Sequence, residues 1–185
     1  HKLTIEEVKK GVSSSPAAAG TKNVAESKKQ QEEYAKKIAE VAAKNEKIKA
    51  DFEKMKQLFE SGRMKFNNKD WAGAITDYKE AVALDADQHV IHGNLGLAYY
   101  NNGVTLLNDS IKDPSKRDPA KQALTDAVAS AGQAIKVLET STASDAAKAN
   151  SPETKQTKAQ YIKIKADSES LLGKRFADSA MADAA

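Results

Sequence analysis

Between Thr21 and Ser61 the chain contains neither proline nor glycine, and its apolar residues return at a steady rhythm. Tyr34, Ile38, Val41, Asn45, Ile48, Phe52, Met55 and Phe59 follow one another at alternating steps of four and three. That spacing keeps one stripe of a helix facing a partner helix. Lys, Glu and Gln fill the flanks, as solvated faces require. Asn45 is the polar interruption, and an asparagine buried in such a seam fixes register or partner number. A helix of about 45 residues would reach about 65 Å. Two uses stay open: packing on its own domain, or overhanging it to meet another subunit.

The pattern changes on either side of this helix. In residues 1–8 the apolar anchors are Leu3, Ile5 and Val8. Leu3 and Ile5 alternate with polar neighbours as in a short strand, while Thr4-Ile5-Glu6-Glu7 suits a first helical turn equally well. GVSSSPAAAG (11–20) then reads as a linker with glycine at both ends. Residues 1–20 are accordingly expected to be an arm and linker. Residues 21–140 are expected to hold the long helix and two helical hairpins, and residues 141–185 a further linker and a capping helix.

The hairpins rest on named residues. Gly62 supplies a small residue where two helices cross, and Phe66 adds bulk near the end of the first. Asn67-Asn68-Lys69-Asp70 is the turn, with Asp70 as candidate N-cap, and Trp71 opens the next helix. Ala74, Tyr78 and Ala81 then alternate small, large and small, and Val82, Leu84 and Asp85 close the unit. A second copy starts at Asn94-Leu95-Gly96-Leu97-Ala98-Tyr99-Tyr100-Asn101-Asn102-Gly103. Residues 55–103 resemble the tetratricopeptide repeat, a helix–turn–helix of about 34 residues. The usual proline after Leu84-Asp85 is replaced by Ala86.

Beyond Gly103 the period breaks. An extended first helix is expected to about Ile111, followed by a loop around Pro114 and Pro119 (insertion about 104–119). The partner helix is then expected over Pro119–Glu139, with Ala127, Ala131 and Ala134-Ile135 echoing the small positions. TSTASDAAKANSP (140–152) reads as a linker. A last helix from Pro152 carries Tyr161, Ile164, Ser168, Leu171, Leu172 and Phe176 and would cover the apolar face left by the second hairpin. The expected class is therefore all-α: tetratricopeptide-like hairpins between a long N-terminal helix and a C-terminal capping helix.

Composition narrows the function. Charged residues make up 30% with both signs mixed, and the net charge is +3. No basic face emerges for nucleic acid or a membrane surface. No apolar run approaches the roughly 20 residues that span a bilayer. Without cysteine, disulfides, thiolate metal sites and cysteine nucleophiles are excluded. His89 and His92 stand three apart near a helix start with Asp85 and Asp87 close by, yet no carboxylate at helical spacing completes a metal set. The pairs Glu6-Glu7 and Glu32-Glu33 read as solvated faces. No phosphate loop or catalytic triad stands out, so neither enzyme activity, a cofactor, a metal nor a small-molecule substrate is expected. Asn108-Asp109-Ser110 is a formal glycosylation sequon. The chain begins His1-Lys2-Leu3 without an initiator methionine. That leads to the expectation of a removed signal peptide and a secreted, extracellular or periplasmic location.

The resemblance implies protein partners. In tetratricopeptide proteins, ligands lie along the first helix of each hairpin. Mapped here, those positions are Lys56, Phe59, Arg63, Phe66 and Asn67, then Val90, Gly93, Leu97, Tyr100 and Asn101. The chaperone-adaptor branch clamps a terminal carboxylate with Lys and Asn where this chain has Phe59 and Arg63. The implied groove is apolar and aromatic instead. The leading expectation is a structural scaffold that assembles with copies of itself into a fibre or ring. Leu3, Ile5 and Val8 of the arm and Tyr34, Ile38, Val41, Asn45, Ile48 and Phe52 of the long helix would dock on neighbouring copies. The alternative is an adaptor holding a hydrophobic segment of another protein.

Overall fold

The computed structural model describes residues 23–177, with side chains from Lys29 onward. Among these residues all regular structure is helical. The order is α1 (Asn23–Asn67), α2 (Trp71–Leu84), α3 (His89–Asp109), a 3-10 turn (Pro114–Lys116), α4 (Arg117–Thr142), α5 (Ala146–Ala149) and α6 (Pro152–Phe176). The all-α expectation holds, and the long helix enters the first hairpin without a break.

Two compact units meet within α1, one ending at Glu53 and the other starting at Lys54. In the first, the described residues form a single helix. Tyr34, Ile38, Val41 and Asn45 are partly buried along it, whereas the residues between them are exposed. Ile48 and Phe52 are 43% and 49% exposed. Leu3, Ile5, Val8 and the linker at 11–20 lie outside the described residues.

The second unit starts with a hairpin whose turn is set by local chemistry. Lys69 takes a positive φ of 61°. Its N–H bonds the Phe66 carbonyl, and the Asp70 N–H bonds the Lys65 carbonyl, both at 2.9 Å. These paired bonds satisfy carbonyls left free at the end of α1. Asp70 then caps α2, accepting from the Gly73 N–H at 2.9 Å. Across the turn, Phe66 meets Trp71 edge-on with ring centroids 5.0 Å apart. Further up the hairpin the Tyr78 ring fills the space that the missing side chain of Gly62 leaves. A Cβ there would stand 2.7 Å from Tyr78 Cε1.

Met55, Ala74, Ile75, Tyr78, Ala81, Ile91, Leu95 and Ala98 form the core of this end. At its edge Lys65 Nζ lies 2.8 Å from both carboxylate oxygens of Asp77 and donates to Oδ1. Burial pushes the Asp77 carboxyl up, but hydrogen bonds from Lys65 and Ser61 outweigh it and hold the group below its usual value. The turn between α2 and α3 is tied by Asp85, which accepts from the Asp87 N–H and from Gln88 Nε2. His92 Nε2 pairs with the Ala86 carbonyl at 3.0 Å, fixing the chain where the repeat ordinarily has proline.

α3 and α4 make an extensive helix pair. Small residues allow this closeness: a Cβ on Gly96 would lie 3.1 Å from the Ala131 nitrogen, and one on Gly103 would overlap Leu124. The insertion is resolved as a helical extension to Asp109 and a 3-10 turn capped by Asp113, which accepts from the Ser115 N–H. α4 starts two residues before Pro119, which sits in its first turn where no N–H is needed. The stretch expected as linker, 140–152, is partly helical. α4 continues to Thr142, and Asp145 caps the one-turn α5 by accepting from the Lys148 N–H. Its alanines sustain helix once a cap is present.

Ser151 caps α6, accepting from the Thr154 N–H, with Pro152 preset for the first turn. α6 packs chiefly on α4 and more lightly on α3. It covers two clusters, Leu107, Ala120, Leu124 and Phe176 at one end and Ala134, Leu138 and Tyr161 at the other. The Arg117 guanidinium lies 4.9 Å over the Phe176 ring, and its Nη2 donates to the Arg175 carbonyl. The capping role expected of the last helix is thus met.

Candidate protein-binding cleft

The positions mapped onto α1 are used in several ways. Phe59 is partly buried, its ring centroid 5.8 Å from that of Tyr78, and Phe66 closes the hairpin against Trp71. Both belong to the packing around the first core. Arg63 is exposed and ion-paired with Glu60 one turn back at 2.8 Å. Lys56 and Asn67 are exposed. On α3, Tyr100 packs against the cluster of Leu107, Leu124 and Phe176. Asn101 donates from Nδ2 to the Leu97 carbonyl at 2.9 Å. The aromatic groove expected from Phe59, Phe66 and Tyr100 is therefore largely absorbed into hairpin and helix packing. Each ring is large enough to lean sideways onto a neighbouring helix.

Val90 and Leu97 behave differently. They share one edge of an open cleft of about 530 Å³ between α3 and α6, whose other lining residues are Gly93, Asn94, Thr157, Gln160, Tyr161, Lys163 and Ile164. Val90 is 43% exposed, while Leu97 and Ile164 are half-buried. The lining is mainly apolar, with amide and hydroxyl groups and one ammonium.

The cleft is shaped at Gly93. A Cβ there would overlap the Tyr161 ring, so glycine lets Tyr161 sit in the gap and draws α6 against α3. Tyr161 is buried, and its hydroxyl lies 3.0 Å from His89 Nδ1. Burial pushes the phenol up to about 12. Burial, with help from the nearby Lys148, holds His89 below its usual value. Both groups are neutral at pH 7 and share a single hydrogen bond, which pins the start of α3 to α6. His92 points elsewhere, to Ala86, so the two histidines share no site. Among the described residues no group of three or more His, Asp or Glu is placed to hold a metal, and no helix is long and apolar enough to cross a membrane.

Sequence reasoning missed the α6 wall: Thr157, Gln160, Lys163 and Ile164. One signal was available. Met55 and Gly62, His89 and Gly96, and Tyr161 and Ser168 each stand seven apart with a small residue second. Ser168 is fully buried, its hydroxyl bonded to the Ile164 carbonyl. α6 carries the third of these pairs.

A family model described as TPR repeat matches residues 62–103. This segment is similar to a tetratricopeptide repeat. The match covers the end of α1, all of α2 and most of α3. No curated protein and no solved structure matches the chain. Tetratricopeptide repeats mediate contacts between proteins and are typically non-enzymatic, and the α3–α6 cleft is bordered on one side by a first helix of this repeat.

Proposed function

We propose that the protein is a non-enzymatic scaffold that assembles with copies of itself, through its tetratricopeptide cleft and its long helix. The observation that carries this reading is the cleft between α3 and α6. It has an apolar floor at Val90, Leu97 and Ile164 and polar groups at its rim, the surface that takes an amphipathic or extended segment of a protein. The seam from Tyr34 to Ile48 adds a second apolar surface on a helix otherwise rich in Lys and Glu. A seam of that spacing is self-complementary, since a second copy presents the same residues in the same order.

The test is cross-linking of an equal mixture of isotopically heavy and light full-length chain. Abundant heavy–light lysine cross-links, rising with concentration, are expected. Cross-links confined to chains of one label would mean that copies do not meet. The cleft would then serve a segment of a different protein, as in an adaptor.

A further inference from the structure

We infer that the α3–α6 cleft is the receptor for residues 3–8 of a second copy of this chain. The inference rests on the self-assembly reading and names its contact. The occupant has to be a short segment with two or three apolar side chains on one side. Val90 and Leu97 lie about 10 Å apart along α3 by helical rise, so the floor is short. Leu3 and Ile5 stand about 7 Å apart on one face if the segment is extended. Ile5 and Val8 are one turn apart if it is helical. Either form places two branched apolar groups over Val90, Leu97 and Ile164.

Charge agrees with this choice. The lining includes an ammonium, Lys163, and no carboxylate. Lys163 pairs with Asp167 one turn further along α6, and Lys148 acts on His89 beside the cleft. The segment offers Glu6-Glu7 between its apolar anchors. Asn94 donates its amide to the Val90 carbonyl and keeps its oxygen as an acceptor. Thr157 and Gln160 add further polar groups for a visiting backbone.

Docking of one copy's segment in the next copy's cleft is heterologous and repeats from chain to chain.

The test is complementation between two full-length variants followed by sedimentation velocity. Leu3→Asp/Ile5→Asp removes the segment's anchors and leaves the cleft intact. Leu97→Asp blocks the cleft and leaves the segment intact, and Val90→Asp, at an exposed site, serves should Leu97→Asp lose its helical circular dichroism. Each variant alone should need at least tenfold more protein for half-assembly than wild type. An equal mixture should form one-to-one pairs at wild-type concentrations, because one working segment then meets one working cleft. Variants that assemble as wild type does would overturn the inference while leaving self-assembly standing. So would weakened variants whose mixture fails to pair. A wild-type chain that stays single at every concentration would remove the self-assembly reading itself.

Discussion

Several close approaches between helices depend on a single missing side chain. Gly62 faces the Tyr78 ring at a distance that leaves no room for a methyl group, whereas Gly132 has nothing within 4 Å. Gly62→Ala is expected to cost about 1–3 kcal/mol by overpacking, while Gly132→Ala should gain roughly 0.5–1 kcal/mol of helix propensity. Thermal melts of the two variants should move in opposite directions. Lys69 holds a left-handed backbone that glycine adopts without strain. Lys69→Gly should therefore raise the melting point, by roughly 0.5–1 kcal/mol of stability, and a lowered one would contradict the turn geometry. His89 sets a pH dependence. Its folded pKa lies below the ordinary value near 6.5, because burial and Lys148 disfavour the charged form while Tyr161 faces its ring. The unfolded chain then binds the proton more readily. The contribution of His89 is complete above about pH 6.5 and is lost as pH falls through the folded value. Urea titrations at pH 7.5 and 5.5 should show that loss, and His89→Gln should flatten it.

At the scale of elements, the last helix does two jobs: it covers the second hairpin and forms one wall of the cleft. Phe176 is 5% exposed, packed on Leu107 and Leu124 beneath Arg117. Phe176→Ala should cost about 3 kcal/mol. Ile111→Ala, at a residue 82% exposed, should change stability by less than about 0.5 kcal/mol. Equal effects in denaturant titrations would mean that α6 does not hold the end of the stack. The elements themselves were largely legible. Four–three spacing marked α1 through to Phe59, the Asn67–Asp70 turn and its cap were readable from residue type, and Pro152 marked the start of α6. What escaped was where side chains lean. An aromatic at Phe59, Phe66 or Tyr100 fits the groove pattern and the hairpin interior equally well, and only the neighbouring helix decides. The wall supplied by α6 was hidden for a related reason. Its Tyr161 and Ser168 keep the seven-residue spacing of His89 and Gly96 without repeating the surrounding residue types. The helical part of 140–152 was masked by Ser and Thr, which serve there as caps and as carbonyl-bonding hydroxyls.

At the scale of the molecule, a long helix runs into a hairpin that matches the tetratricopeptide repeat, and a last helix covers the second hairpin. Buried tyrosines and histidines are paired or packed, and part of the exposed apolar surface lies on the seam and in the cleft. Ile38, Val41 and Ile48 on the seam and Val90, Leu97 and Ile164 in the cleft are the side chains that association would cover. Burying aliphatic groups of this size gives about 1.5–3 kcal/mol each when complete, and their sum must exceed the roughly 4–15 kcal/mol of freedom lost on association. The most direct measurement is static light scattering of the full-length chain over a wide concentration series, with negative-stain images at the upper end. The account predicts a weight-average mass that climbs in multiples of one chain and ends in rings or filaments. A mass that stays at that of one chain throughout would contradict it.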